Sequence, residues 1–196
     1  MKILLAAILF LIAPSLALAA NTSVYTKFDI AKCPRLDVGN ADEGEGGSWL
    51  CKGYGNLKIY FAEGDLRQFV AFGKSPKKTC AAEQTFSGFN SANTTIEWRL
   101  NKGKPIAAIQ RWTVSYDPED SAKTKTWLVV TRIEPSNSCR MAVVEGAFPN
   151  ANVKAREIAD QSGEKFECGV SGQTAITLPT TDKAQANIAD DNCEKH

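Results

Sequence analysis

Histidine is nearly absent from this sequence. Of 196 residues one is histidine, and it is the last, His196. That removes His-dependent triads and histidine-rich metal sites from the catalytic readings. No C-x-x-C pair occurs, so the usual zinc spacing is missing as well. Neither sign of charge dominates. The chain carries 23 Lys and Arg against 22 Asp and Glu, and Lys2 is the one charged residue in positions 1–19. The remainder is therefore balanced, without the basic excess that nucleic acid or an anionic membrane calls for. Beyond the N-terminus no run is apolar enough to span a bilayer. There is no internal repeat and no long low-complexity tract.

What is present begins with an export signal. Lys2 supplies the positive start, Ile3 to Ile12 an apolar run, and Pro14-Ser15 a break. Ala17-Leu18-Ala19 then puts small residues at both positions the peptidase reads. Cleavage is expected after Ala19, with Ala20 the alternative. This leaves residues 20–196 as a single exported globular domain, periplasmic or secreted, with no stable membrane insertion after cleavage. That length buries a real core.

All six cysteines, Cys33, Cys51, Cys80, Cys139, Cys168 and Cys193, lie in that domain. An even count in an exported chain reads as three disulfides. Fifteen pairings are formally possible. Sequence proximity favours Cys33–Cys51 and Cys139–Cys168, which leaves Cys80–Cys193 to tie the C-terminal tail to the body.

Strand signals fill the centre. Asp37 to Gly47 is a loop by composition, glycine and acid without an apolar anchor. Leu57–Phe61 and Leu66–Phe72 flank Glu63-Gly64-Asp65, a hairpin turn signal. Ile96, Trp98 and Leu100 alternate with Glu97 and Arg99. Ile106–Tyr116, Thr126–Ile133 and Cys139–Glu145 follow, joined by short turns at 101–104, 117–121 and 135–137. Connections this short join antiparallel neighbours. The period then changes. Ala151, Ala155, Ile158 and Ala159 form a helical stripe ending near Gly163, and Thr180 or Thr181 is placed to cap a second helix through Ala189. The expected fold is α+β: an antiparallel β-meander of about six strands covered by a C-terminal helix and stapled by disulfides.

Four segments carry a resemblance: Trp49–Tyr54 (WLCKGY), Ala62–Gly73 (AEGDLRQFVAFG), the Cys139–Val144 strand and Ala155–Cys168. Through them the chain resembles a family of uncharacterised exported proteins from alphaproteobacteria. The resemblance implies a fold and a compartment, is compatible with Cys33–Cys51 and Cys139–Cys168 pairing, and brings no activity.

No constellation compels a chemistry. Ser75-Pro76-Lys77-Lys78 fits S-x-x-K, but its adjacent lysines repel, no K-T-G or S-D-N partner exists, and a polar loop before Cys80 accounts for it. Cys193 near His196 is not a thiol–imidazole pair if the cysteine is oxidised. Asp37, Asp42, Glu43 and Glu45 in one loop, and Asp117, Glu119 and Asp120 in another, invite an acid–base or calcium reading. Neither group has EF-hand spacing, and solvated turns explain both. Trp98, Trp112 and Trp127 on alternating strand positions read as core. Trp49 borders the glycine–acid loop and reads as partly exposed. Gly64-Asp65-Leu66-Arg67 reads as a turn followed by a strand with Arg67 facing solvent.

The expected function is a non-catalytic exported binding protein, with Trp49, Asp37, Asp42, Glu43 and Glu45 as its contact residues and a protein or envelope polymer as partner. One version is an inhibitor of an extracytoplasmic enzyme that inserts the Asp37–Gly47 loop. No metal or other cofactor and no nucleic acid is expected. The alternatives are a carboxylate- or metal-dependent hydrolase, in which Asp65, Glu97, Asp117 and Glu145 would converge, and a structural protein binding an envelope polymer.

Overall fold

A computed structural model of the chain describes residues 21–38, 46–162, 165–181 and Cys193. The signal segment, Asp42, Glu43, Glu45, Gly163 and the expected second helix after Thr181 lie outside the described residues.

Two sheets face each other. The larger has the order β1-β6-β7-β8-β9-β10, from β1 (Thr22–Lys27), β6 (Asn90–Asn101), β7 (Lys104–Ser115), β8 (Thr124–Ile133), β9 (Ser138–Glu145) and β10 (Thr174–Ile176). Its central four strands are the expected antiparallel meander. The addition of β10 parallel to β9 makes the sheet mixed. The smaller sheet has the order β2-β3-β4-β5, from β2 (Arg35–Val38), β3 (Gly47–Lys52), β4 (Lys58–Gly64) and β5 (Arg67–Gly73). A single meander was expected, and the separate four-stranded sheet corrects it. The hairpin pattern of Leu57–Phe72 is the same whether it extends one sheet or forms a second, and the choice is made by packing. The Asp37–Gly47 loop is also shorter than expected, because Asp37 pairs with Ser48 and Gly47 with Glu63 inside the sheet.

The main core lies between the sheets. Ile59, Phe61, Val70 and Phe72 from the smaller sheet meet Ile96, Trp98, Trp112, Val114, Trp127 and Val143 from the larger. Phe72 stands edge-on to Trp98 at 5.4 Å between ring centroids. The three strand tryptophans are buried, as their alternation predicts. Truncating one to alanine costs about 3–5 kcal/mol.

The other face of the large sheet takes α1 (Ala151–Ser162). The predicted stripe Ala151, Ala155 and Ala159 is buried there against Ile109, Leu128, Val130 and Val144. Alanines let the helix approach the sheet closely, and β7–β9 are covered on both faces, which explains their apolar stretches.

Three cysteine pairs stand at disulfide distance, Cys33–Cys51, Cys80–Cys193 and Cys139–Cys168, with Cα separations of 4.8, 5.5 and 5.6 Å. Cys33–Cys51 ties the turn after Lys32 to β3, and Cys139–Cys168 ties the segment after α1 to β9. They fit an oxidising compartment. Among the described residues no helix is long and apolar enough to cross a membrane.

Candidate binding surface

The acids that a carboxylate enzyme would need are dispersed. Asp65 pairs with Arg67 in the β4–β5 turn. Asp117 accepts from Lys123 Nζ at 2.6 Å in the β7–β8 turn, and that ammonium holds its carboxyl below the usual range. Glu97, on the helix face of β6, accepts from Arg156 Nε at 2.6 Å and from Ser23 Oγ at 2.5 Å. Burial pushes the Glu97 carboxyl up, but Arg156 and Ser23 outweigh it and the group stays ionised. Glu145, on the core face of β9, accepts from Thr181 Oγ1 at 2.8 Å, Leu178 N at 2.9 Å and Lys125 Nζ at 3.3 Å. Burial opposes ionisation there too, and these three donors overcome it. Each of the four is consumed by its own local partner, so they form no acid–base pair. Asp120 likewise spends an oxygen on Ala122 N within its own turn. Among the described residues no group of three His, Cys, Asp or Glu side chains is arranged to hold a metal ion.

Arg99 and Arg140 are the other buried charges among the described residues, and Arg140 points between the sheets. Its guanidinium donates to Thr85 O at 3.0 Å and Gln173 Oε1 at 2.6 Å, and lies 5.4 Å from the Phe86 ring centre. The cavity beside it holds about 10 Å³, room for one water and not for a ligand. These contacts tie the 80–86 segment to β9.

Of the contact residues named from sequence, Trp49 and Asp37 are described, and both stand at one end of the small sheet. Trp49 is half-buried, with Phe61 5.7 Å from its ring on the core side and the Arg35 guanidinium 5.3 Å from it. Asp37 is exposed on the neighbouring strand. The chain leaves β2 at Val38 and resumes at Gly46, packed so tightly against Glu63 that a Cβ would lie 1.8 Å from its carbonyl oxygen.

The β4–β5 turn stands at this same end, and sequence reasoning missed what it does. The expected turn is Glu63-Gly64-Asp65. The strands in fact pair through Gly64 opposite Arg67, so Asp65 and Leu66 form the bend. Both have left-handed backbone, φ 50° and 57°. Two such residues make the hairpin turn that favours Asn-Gly, and leucine there is strained. Leu66 gains no burial in exchange: it is 65% exposed. Its carbonyl accepts from Asn90 N at 3.1 Å, and Gln68 N donates to Asn90 Oδ1 at 3.0 Å, so the turn is held firmly. Phe89, next to Asn90, is 44% exposed.

Compared with family models, curated proteins and solved structures, the chain matches none. The resemblance read from the sequence therefore gains no family assignment, and functional reasoning rests on this geometry.

Proposed function

We propose that the chain is an exported, non-catalytic binding protein whose partner is another protein, docked at the β4–β5 turn. Leu66 carries the reading. Left-handed backbone costs a non-glycine residue about 1 kcal/mol or more, and such strain concentrates at functional sites. Burial does not repay it, and the one hydrogen bond Leu66 itself contributes is through its backbone carbonyl, which any residue supplies. A rigid turn that presents an exposed leucine beside Phe89 has the character of an interface anchor: apolar, preorganised and cheap to desolvate. The inhibitor version is kept within this reading, because Val38 and Gly46, which bound the expected inserting loop, stand at the same end of the sheet.

Leu66→Gly tests it. Glycine relieves the backbone, so thermal stability should hold or rise. Capture of a stoichiometric protein from native envelope extract, seen with the parent chain, should fall by about tenfold, as loss of an anchor does. Undiminished capture by a folded Leu66→Gly chain would refute the assignment.

A further inference from the structure

The opposite end of the small sheet carries a second feature, independent of Leu66. Lys52 ends β3 and stands directly across from Lys58, which begins β4. Lys58 is in turn opposite Gly73, the last residue of β5, and Lys74 follows. Directly opposed side chains leave the same face with Cβ atoms about 5 Å apart, and like charges in that arrangement are destabilising. Here both side chains are exposed, and among the described residues neither forms an ion pair or hydrogen bond. Among the described residues nothing offsets the repulsion.

Between these lysines and the edge of the sheet lies an open groove of about 490 Å³. Its apolar lining is Pro34, Leu50 and Leu57, and Lys52, Lys58 and Asn56 supply its polar rim. The Cys33–Cys51 bridge, buried on the core side of β3, ties the Pro34 segment to the strand beneath the groove. The volume is that of a small-molecule site, and the mixture is an apolar bed with convergent donors at one side. Lys77 and Lys78, exposed in the short 3₁₀ turn that touches β4, add to the positive field on this flank. An anion seated between Lys52 and Lys58 converts their repulsion into two attractions, and an apolar body attached to it fills the bed below.

We propose that this groove binds a small amphiphilic anion, a phosphate or carboxylate group carried on an acyl or aromatic body. The shared chemistry has two sources, a free amphiphile and the headgroup end of an anionic lipid.

The test uses the oxidised chain and a Lys52→Gln/Lys58→Gln variant. Both replaced residues are exposed, so the variant should unfold at the same or a slightly higher temperature. Octyl phosphate and inorganic phosphate are titrated into each by calorimetry. The expected result is that octyl phosphate binds, inorganic phosphate binds at least about tenfold more weakly, and the double variant loses about tenfold in octyl phosphate affinity. Sedimentation with phosphatidylglycerol vesicles, against phosphatidylcholine vesicles, separates the sources. Lysine-dependent sedimentation assigns the lipid, and binding of octyl phosphate without sedimentation assigns the free amphiphile. Three outcomes overturn the proposal: no binding in either arm, octyl phosphate binding unchanged in the double variant, or inorganic phosphate binding as tightly as octyl phosphate.

Discussion

Arg156 on α1 grips Glu97 on β6 through two nitrogens, Nε at 2.6 Å and Nη2 at 3.2 Å, across a gap of 59 residues in sequence. The grip belongs to a larger clamp. Arg156 also reaches Tyr25 Oη at 2.9 Å, and Arg99 donates to Asp160 Oδ2 at 2.5 Å and to Ser23 Oγ at 2.8 Å. The clamp joins the helix to the edge strand β1, where the alanine stripe does not reach. Glu97→Gln and Arg156→Met should each cost roughly 2–3 kcal/mol, because each strands a partly buried charged partner. Urea unfolding of the two single variants and the double variant checks this. The double variant should lose less than the sum of the singles.

Acid should loosen this clamp and the contacts of Glu145 with Lys125 and Thr181. Glu97 and Glu145 both titrate below their ordinary value of 4.5 in the folded chain. A depressed carboxyl contributes stability that is fully present above the unfolded value and is lost as pH falls through the folded one. The urea midpoint should therefore stay level from pH 7 to about 5 and drop below about 4. In Glu97→Gln the drop should be shallower. A midpoint that declines equally in both chains would assign the acid lability elsewhere.

The disulfides should contribute comparably. Cys33–Cys51 closes a span of 18 residues and Cys139–Cys168 one of 29. Loop-closure entropy assigns each about 3 kcal/mol. Replacing either pair with serines should lower the unfolding temperature by several degrees, and reduction of all bridges by considerably more. Calorimetry of the two double-serine variants measures it.

Acrylamide should quench one tryptophan. Trp98, Trp112 and Trp127 are buried between the sheets, while Trp49 is half-buried under Arg35. Trp49→Phe should remove most of the accessible fluorescence and leave the remainder nearly unquenched. Strong residual quenching would show that the inter-sheet core is open.

Much of the architecture was legible from local pattern. The β6–β9 meander followed from short turns such as Lys102-Gly103, where both residues adopt positive φ. The α1 helix followed from Ala151, Ala155 and Ala159 at helical spacing. Partner choice between distant strands was not legible. Nothing local tells Val24 that it lies opposite Trp98, or that Leu57–Phe72 belongs to a second sheet. The two binding features were hidden for the same kind of reason. Lys52 and Lys58 are an ordinary pair of charges until the register sets them face to face. Leu66 reads as the first residue of a strand until a shift of the turn places it in left-handed backbone. Sequence proximity, in contrast, singled out Cys33–Cys51 and Cys139–Cys168, both at disulfide distance, and left Cys80–Cys193 by elimination.

Photo-crosslinking from the turn tests the central claim most directly. A benzophenone side chain is placed at position 66, and in a second chain at position 153, where Val153 is equally an exposed apolar residue but lies on α1. Both chains are irradiated in native envelope extract and the adducts identified by mass spectrometry. Docking at Leu66 predicts one dominant protein adduct from position 66 and none of it from position 153. The same adducts from both positions, or none from position 66 in a folded chain, would contradict it.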